Sequence, residues 1–280
     1  MQYKDLLVSI HASETGEQQT KLALGLARQH DANLLGYYVS PTVGEFPVAP
    51  TYSKISDLEP RSADGGHSVS AAALAEAIQT QFEADLKTND LKGAWVLSGD
   101  NLVQDIVPHI RAVDLAIIGL GDPDRMDPDP QGFRPEEVIL ACGRPVLGVP
   151  VANVPPEVGR KVLVAWDGSR GATRAMHDAL PLLKRAGSVT LLAVDPPAPD
   201  PAPVKTAAEH LRRHGIKASE RTISSGGLAV GDAILAECDY LSSDLVVAGA
   251  YGHSRLSESI LGGVSRTLLR QMMVPVLMSH

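Results

Sequence analysis

The chain is short of cysteine: among its 280 residues only Cys142 and Cys238 are present, far apart and in no CxxC pair. Both fall inside predicted helices, which suits a reducing compartment with free thiols, and both read as small core residues rather than nucleophiles. Long apolar runs are lacking too. None approaches the roughly 20 residues that a membrane-spanning helix needs, so membrane insertion is not expected. The first predicted strand, Lys4 to Ile10, is not preceded by the basic start and apolar core of a signal peptide, and a cytoplasmic location is expected. A basic run is also missing. With 25 Lys and Arg against 33 Asp and Glu the formal net charge is −8, which argues against nucleic acid as the main partner. Any anion must therefore be held locally, by backbone donors.

Two common catalytic signatures are absent: there is no Walker lysine motif and no GxSxG elbow, and no general base is evident beside the glycine-rich segment described below. What is present is an ordinary globular composition, 44% hydrophobic and 21% charged, at a length with room for two domains.

The organisation is an internal repeat. Asp114-Leu-Ala-Ile-Ile-Gly119 matches Asp244-Leu-Val-Val-Ala-Gly249 at an offset of 130 residues, and Pro145-Val-Leu147 matches Pro275-Val-Leu277 in the same register. Leu6-Leu-Val-Ser-Ile-His-Ala-Ser13 matches Val162-Leu-Val-Ala-Trp-Asp-Gly-Ser169 at an offset of 156, so the first copy carries an insertion of 26 residues, placed at about 42–67. Its prolines and the Gly65-Gly66 pair suggest a surface excursion. Pro150, Pro155 and Pro156 mark the join, giving expected domains 1–152 and 157–280. In the second copy, strands are expected near Lys161–Trp166, Ser188–Val194, Lys217–Ile223, Asp244–Ala248 and Val274–Met278, with helices near Gly171–Ala186, Val204–His214, Leu228–Leu241 and Val264–Gln271. Strands separated by helices imply an α/β fold: two tandem doubly wound domains, each with a five-stranded, mostly parallel sheet and about four helices. Ligands of such sheets bind outside the carboxyl ends of the strands.

The segment that carries chemistry begins at such a strand end. Gly249-Ala-Tyr-Gly252 leads through His253 and Arg255 to Gly262-Gly263-Val264-Ser265, which opens a predicted helix. Glycines let backbone N–H groups approach a ligand, and a helix amino terminus favours an anion, most simply a phosphate chain. His253 and Arg255 could face phosphates or solvent. Taken together, Gly249-x2-Gly252-x9-Gly262, the opening Val162-Leu-Val-Ala-Trp-Asp167-Gly-Ser169, the strand end Ala193-Val194-Asp195 and the closing Val274-Pro-Val-Leu277 resemble the universal stress protein family, as two tandem copies over nearly the whole chain.

The resemblance implies an adenine-nucleotide-binding, Rossmann-like fold and ATP, with or without Mg2+, in the second copy. It would set Asp167 near the nucleoside, Val194 against the adenine, and Gly249, Gly252, Gly262 and Ser265 around the phosphates. Gly263 departs from the family's usual Ser or Thr, so a hydroxyl donor is missing where the backbone donor stays. The resemblance also implies an intrachain pseudo-dimer through the last strand of each copy, with a homodimer as a further step. In the first copy Gly252 becomes Asp122, Gly263 becomes Phe133, Ser265 becomes Pro135 and Asp167 becomes His11, while Gly119 and Gly132 persist. The segment Asp122 to Pro130 carries four aspartates against one arginine, a field that would repel a triphosphate. It lacks the glycine turn and bidentate glutamate of a calcium loop, so no metal site is expected. The expected function is a nucleotide-dependent stress-response or signalling module; the alternatives are a slow ATP hydrolase and a nucleotide-free interaction scaffold.

Overall fold

The computed structural model describes residues 2–40, 45–47, 68–99, 102–120, 135–152, 154–199, 202–250 and 262–280. In the first half the chain runs β1 (Asp5–Ile10), α1 (Glu14–His30), β2 (Asn33–Val39), β3 (Glu45–Pro47), β4 (Ser68–Ser70), α2 (Ala71–Thr88), β5 (Gly93–Ser98), α3 (Leu102–Arg111), β6 (Leu115–Gly119), α4 (Pro135–Cys142) and β7 (Val146–Val149). The second half runs β8 (Lys161–Ala165), α5 (Arg170–Asp178), α6 (Leu180–Leu183), β9 (Ser188–Val194), α7 (Val204–Arg213), β10 (Ala218–Ile223), α8 (Val230–Leu241), β11 (Leu245–Gly249), α9 (Gly263–Gln271) and β12 (Val276–Ser279). Most of the insertion expected at 42–67, and all of the acidic segment 122–130, lie outside the described residues. At the ends of the insertion, β3 and β4 pair antiparallel.

Five strands from each half form one sheet in the order β10-β9-β8-β11-β12-β7-β6-β1-β2-β5. Every neighbouring pair is parallel except β12 and β7, which run antiparallel with Leu277 opposite Leu147. The fold is therefore α/β with a mostly parallel sheet. Each half repeats one order outward from that central pair. The last strands of the two copies are interior strands, and both are buried along their whole length. The true edges are β5 and β10, whose residues are all partly or fully exposed.

Strand alternation divides the core. Leu6, Val8, Leu115, Ile117, Val162, Val164, Leu245 and Val247 face α1, α2, α5, α6 and α7. Leu7, Ala116, Ile118, Leu163, Val246, Ala248, Val276 and Met278 face α3, α4, α8 and α9. A strand buried on both faces needs an unbroken apolar run, which is what Leu115 to Ile118 and Leu245 to Ala248 supply. Cys142 and Cys238 belong to the second of these cores as buried free thiols. Burial pushes the thiol pKa of both upward, that of Cys238 to about 11.

The repeated aspartates have a structural task at the amino ends of the strands. Asp114 Oδ2 accepts from the backbone N–H groups of Lys4 and Asp5. Asp244 accepts from those of Gly159, Arg160 and Lys161 at 2.9, 3.0 and 3.2 Å. The carboxylates thus fasten the entry of β1 to that of β6 and the entry of β8 to that of β11. One expected helix, Gly171–Ala186, is instead two. Pro181 has no N–H to donate within a continuing helix, so α5 stops at Asp178 and α6 restarts after Ala179 with Pro181 in its first turn.

Candidate functional site

In the second half β8 lies between β9 and β11. The chain leaves β8 over one face of the sheet through α5, and enters β11 over the other through α8. The connections therefore part between these two strands, and the crevice where sheets of this kind bind ligands lies outside the carboxyl ends at that point. Asp167 stands two residues past β8, exposed, with Oδ1 accepting from Ser169 N–H at 2.9 Å. Ser169 Oγ in turn accepts from Ala172 N–H at 3.1 Å and caps α5. The Asp-Gly-Ser sequence is thus a turn shaped by its aspartate and a cap made by its serine. Gly168 between them has φ +71°, and a Cβ there would run into Ala202, so glycine is required. Trp166 Nε1 donates to Ala202 O at 2.9 Å, which draws the segment before α7 across the end of β8.

Gly249, at the end of β11, has α5 as its close neighbour. A Cβ on Gly249 would strike the backbone of Gly171 and Ala172, and one on Gly171 would come within 3.0 Å of Ala250 O. Two glycines facing each other let the first turn of α5 rest directly on the end of β11. The sequence ascribed Gly249 to ligand approach; helix packing already requires it. Val194 closes β9, half-buried, and the next residue, Asp195, turns the chain at φ 45°. The Asp195 carboxylate accepts from Ser224 Oγ at 2.9 Å and from Ser225 N–H at 3.2 Å, clamping the ends of β9 and β10. Hydrogen bonds from Ser225 and then Ser224 hold its carboxyl below the usual carboxylate range.

Helix α9 follows β11, so its amino end returns to the same end of the sheet. Gly262 is its N-cap at φ −57°, and having no side chain it does not itself accept from the first N–H groups of the helix. Gly263 is exposed, Val264 half-buried, and Ser265 only 3% exposed. Asp167, Val194, Gly249 and Gly262 to Ser265 thus gather at one end of the sheet. Gly252, His253 and Arg255 lie outside the described residues.

The corresponding place in the first half holds a polar plug. Gln19 of α1 is 1% exposed; its Nε2 donates to Ser9 O at 2.7 Å and to Ile117 O at 3.3 Å. It therefore bridges β1 and β6 where they diverge. A Cβ on Gly119 would lie 2.8 Å from Gln19 Oε1. His11 Nε2 stands 3.4 Å from Ser9 Oγ. In the second half the matching positions are Ala165 for Ser9, Asp167 for His11 and Ala175 for Gln19. The plug escaped the sequence reading, although a comparison of Gln19 with Ala175 on the two α-helices would have exposed it.

Residues 159–280 match the sequence profile of the Universal stress protein family. The universal stress protein Slr1230 of Synechocystis is 24% identical to the chain, covering 98% of it and 99% of that relative. Among solved structures, a universal stress protein from Archaeoglobus fulgidus superposes with a TM-score of 0.73 at 18% identity, covering 98% of this chain and 97% of that one. A functionally unknown protein from Pseudomonas aeruginosa superposes at 0.62 and 15% identity, covering 98% and 92%. The profile match lies on the half that holds the crevice, and the likeness of relative and fold runs the length of the molecule: residues 159–280 belong to the universal stress protein family.

Proposed function

We propose that the chain is a cytoplasmic nucleotide-dependent stress-response module of two units, 1–152 and 157–280, paired within one chain, in which the second unit binds ATP and the first is its nucleotide-free structural partner. The observation that carries this reading is the asymmetry of the two crevices. In the second half, Asp167, the end of β9 and the amino end of α9, which has no side-chain cap among the described residues, all lie at the carboxyl end of the sheet where β8 and β11 part. In the first, Gln19 and Ser9 fill that point with their own hydrogen bonds. The amino end of a helix suits a phosphate chain, and the net charge of −8 leaves that task to the backbone. Occupancy would then favour one arrangement of the segment between β11 and α9, which is how a bound nucleotide becomes a signal. With no Walker lysine, binding without efficient turnover is the preferred chemistry.

Writing the first half's residue into the second tests the reading. Gly252→Asp places a carboxylate in the anion site, and ATP affinity should fall by at least about tenfold, about 1.4 kcal/mol, with the melting temperature of the free protein unchanged. An unchanged affinity would remove the segment after β11 from the phosphate site.

A further inference from the structure

Away from the crevice, at the carboxyl ends of α5 and α7, two imidazoles meet. His177, in the last turn of α5, and His210, in the last turn of α7, bring their Nε2 atoms to 3.0 Å across the gap between the helices. His177 Nδ1 lies 2.7 Å from the Thr173 carbonyl oxygen. A carbonyl only accepts, so the proton sits on Nδ1 and the His177 Nε2 lone pair accepts from His210 Nε2–H; an ion takes the place of that shared proton once His210 carries its own on Nδ1. His214 packs edge-on against His210, with ring centroids 4.7 Å apart. His177 is exposed and His210 half-buried, so solvent reaches both rings.

We propose that His177 and His210 form a two-histidine chelate for a divalent late transition metal ion. A ring held by an Nδ1–H to backbone carbonyl bond, with its other nitrogen free to coordinate, is the way proteins orient metal-binding histidines. The spacing also fits. With metal–nitrogen bonds of roughly 2.0–2.1 Å, a 3.0 Å span subtends about 90–95° at the ion. That is the angle of a cis pair in a square-planar or octahedral complex rather than a tetrahedral one, and it favours Ni2+ and Cu2+ over Zn2+. Among the described residues no group of three His, Cys, Asp or Glu side chains is assembled for an ion, so water completes the coordination and the metal exchanges. A bound ion would tie the carboxyl end of α5 to α7, while the amino end of the same helix rests on Gly249.

Calorimetric titration of the untagged full chain with NiCl2 tests this. About one equivalent of Ni2+ should bind at the pair, and His177→Ala and His210→Ala should each weaken that binding by about tenfold or more, since even residues that merely orient a ligand cost that much. Both side chains reach solvent, so both variants should melt as the parent does. A second readout needs no variant: substoichiometric Cu2+ should broaden the histidine ring resonances of His177 and His210 before those of His30 and His109. Undiminished Ni2+ binding in either variant, or broadening centred on other histidines, would overturn the proposal.

Discussion

His30, at the end of α1, is fully buried against the Tyr3 ring at 4.9 Å, and neither ring nitrogen has a hydrogen-bond partner among the described residues. Desolvation, with a smaller contribution from Arg185, pushes its pKa down to about 4. Between pH 6.5 and 4 the unfolded chain therefore takes up a proton that the folded chain refuses. The stability that His30 allows is complete above pH 6.5 and drains away as pH falls toward 4, at up to about 1.4 kcal/mol per pH unit. His30→Leu removes this titration and leaves no polar atom unpaired. Urea unfolding should show the variant gaining on the parent at pH 5 relative to pH 7.5; a gap that does not change with pH would contradict the assignment. Single residues were also where the sequence was hardest to read. Gly249 resembled a ligand contact because a strand-end glycine looks the same whether a phosphate or a helix approaches it, and here Gly171 and Ala172 approach it. Gln19 looked like one more polar residue of α1, because sequence periodicity alone does not reveal that Ser9 O and Ile117 O are waiting for its amide.

At the level of elements the pattern was far more legible. The fully buried strands β11 and β6 announce themselves as unbroken apolar runs, and β8, β9 and β12 lie within two residues of the ends expected from the sequence. Pro181 was passed over, and α5 and α6 came out as one helix because the apolar spacing continues across the break. Helix α9 carries the next prediction. Gly263 is its first residue, its φ lies outside the left-handed region, and a Cβ there meets nothing within 4 Å among the described residues. Gly263→Ser should therefore fit the backbone and steady the free protein by about 0.5 kcal/mol through helix propensity. Its hydroxyl, placed where α9 begins, should strengthen ATP binding by up to about tenfold to a hundredfold, as a hydrogen bond to a charged group does. Thermal melts with and without ATP separate the two gains. Loss of both would show that the position needs glycine after all.

For the molecule as a whole, the offsets of 130 and 156 residues anticipated that each half builds the same five-stranded unit, and the aspartates Asp114 and Asp244 that marked the repeat prove to be clamps far from the crevice. The sequence could not locate the antiparallel meeting of β7 and β12 from periodicity, because a strand buried by a sheet neighbour and one buried by helices are equally apolar. What divides the halves among the described residues is chemistry at one end of a shared sheet: Gln19 and Ser9 bond across it in the first half, where the second has Ala175 and Ala165. Titration of the purified full chain with ATP measures that division directly. The account predicts saturation at about one equivalent per chain, unaffected by Gln19→Ala, since removing the plug does not restore the His11, Asp122 and Pro135 positions to their second-half counterparts. Two equivalent sites, or none, would contradict it.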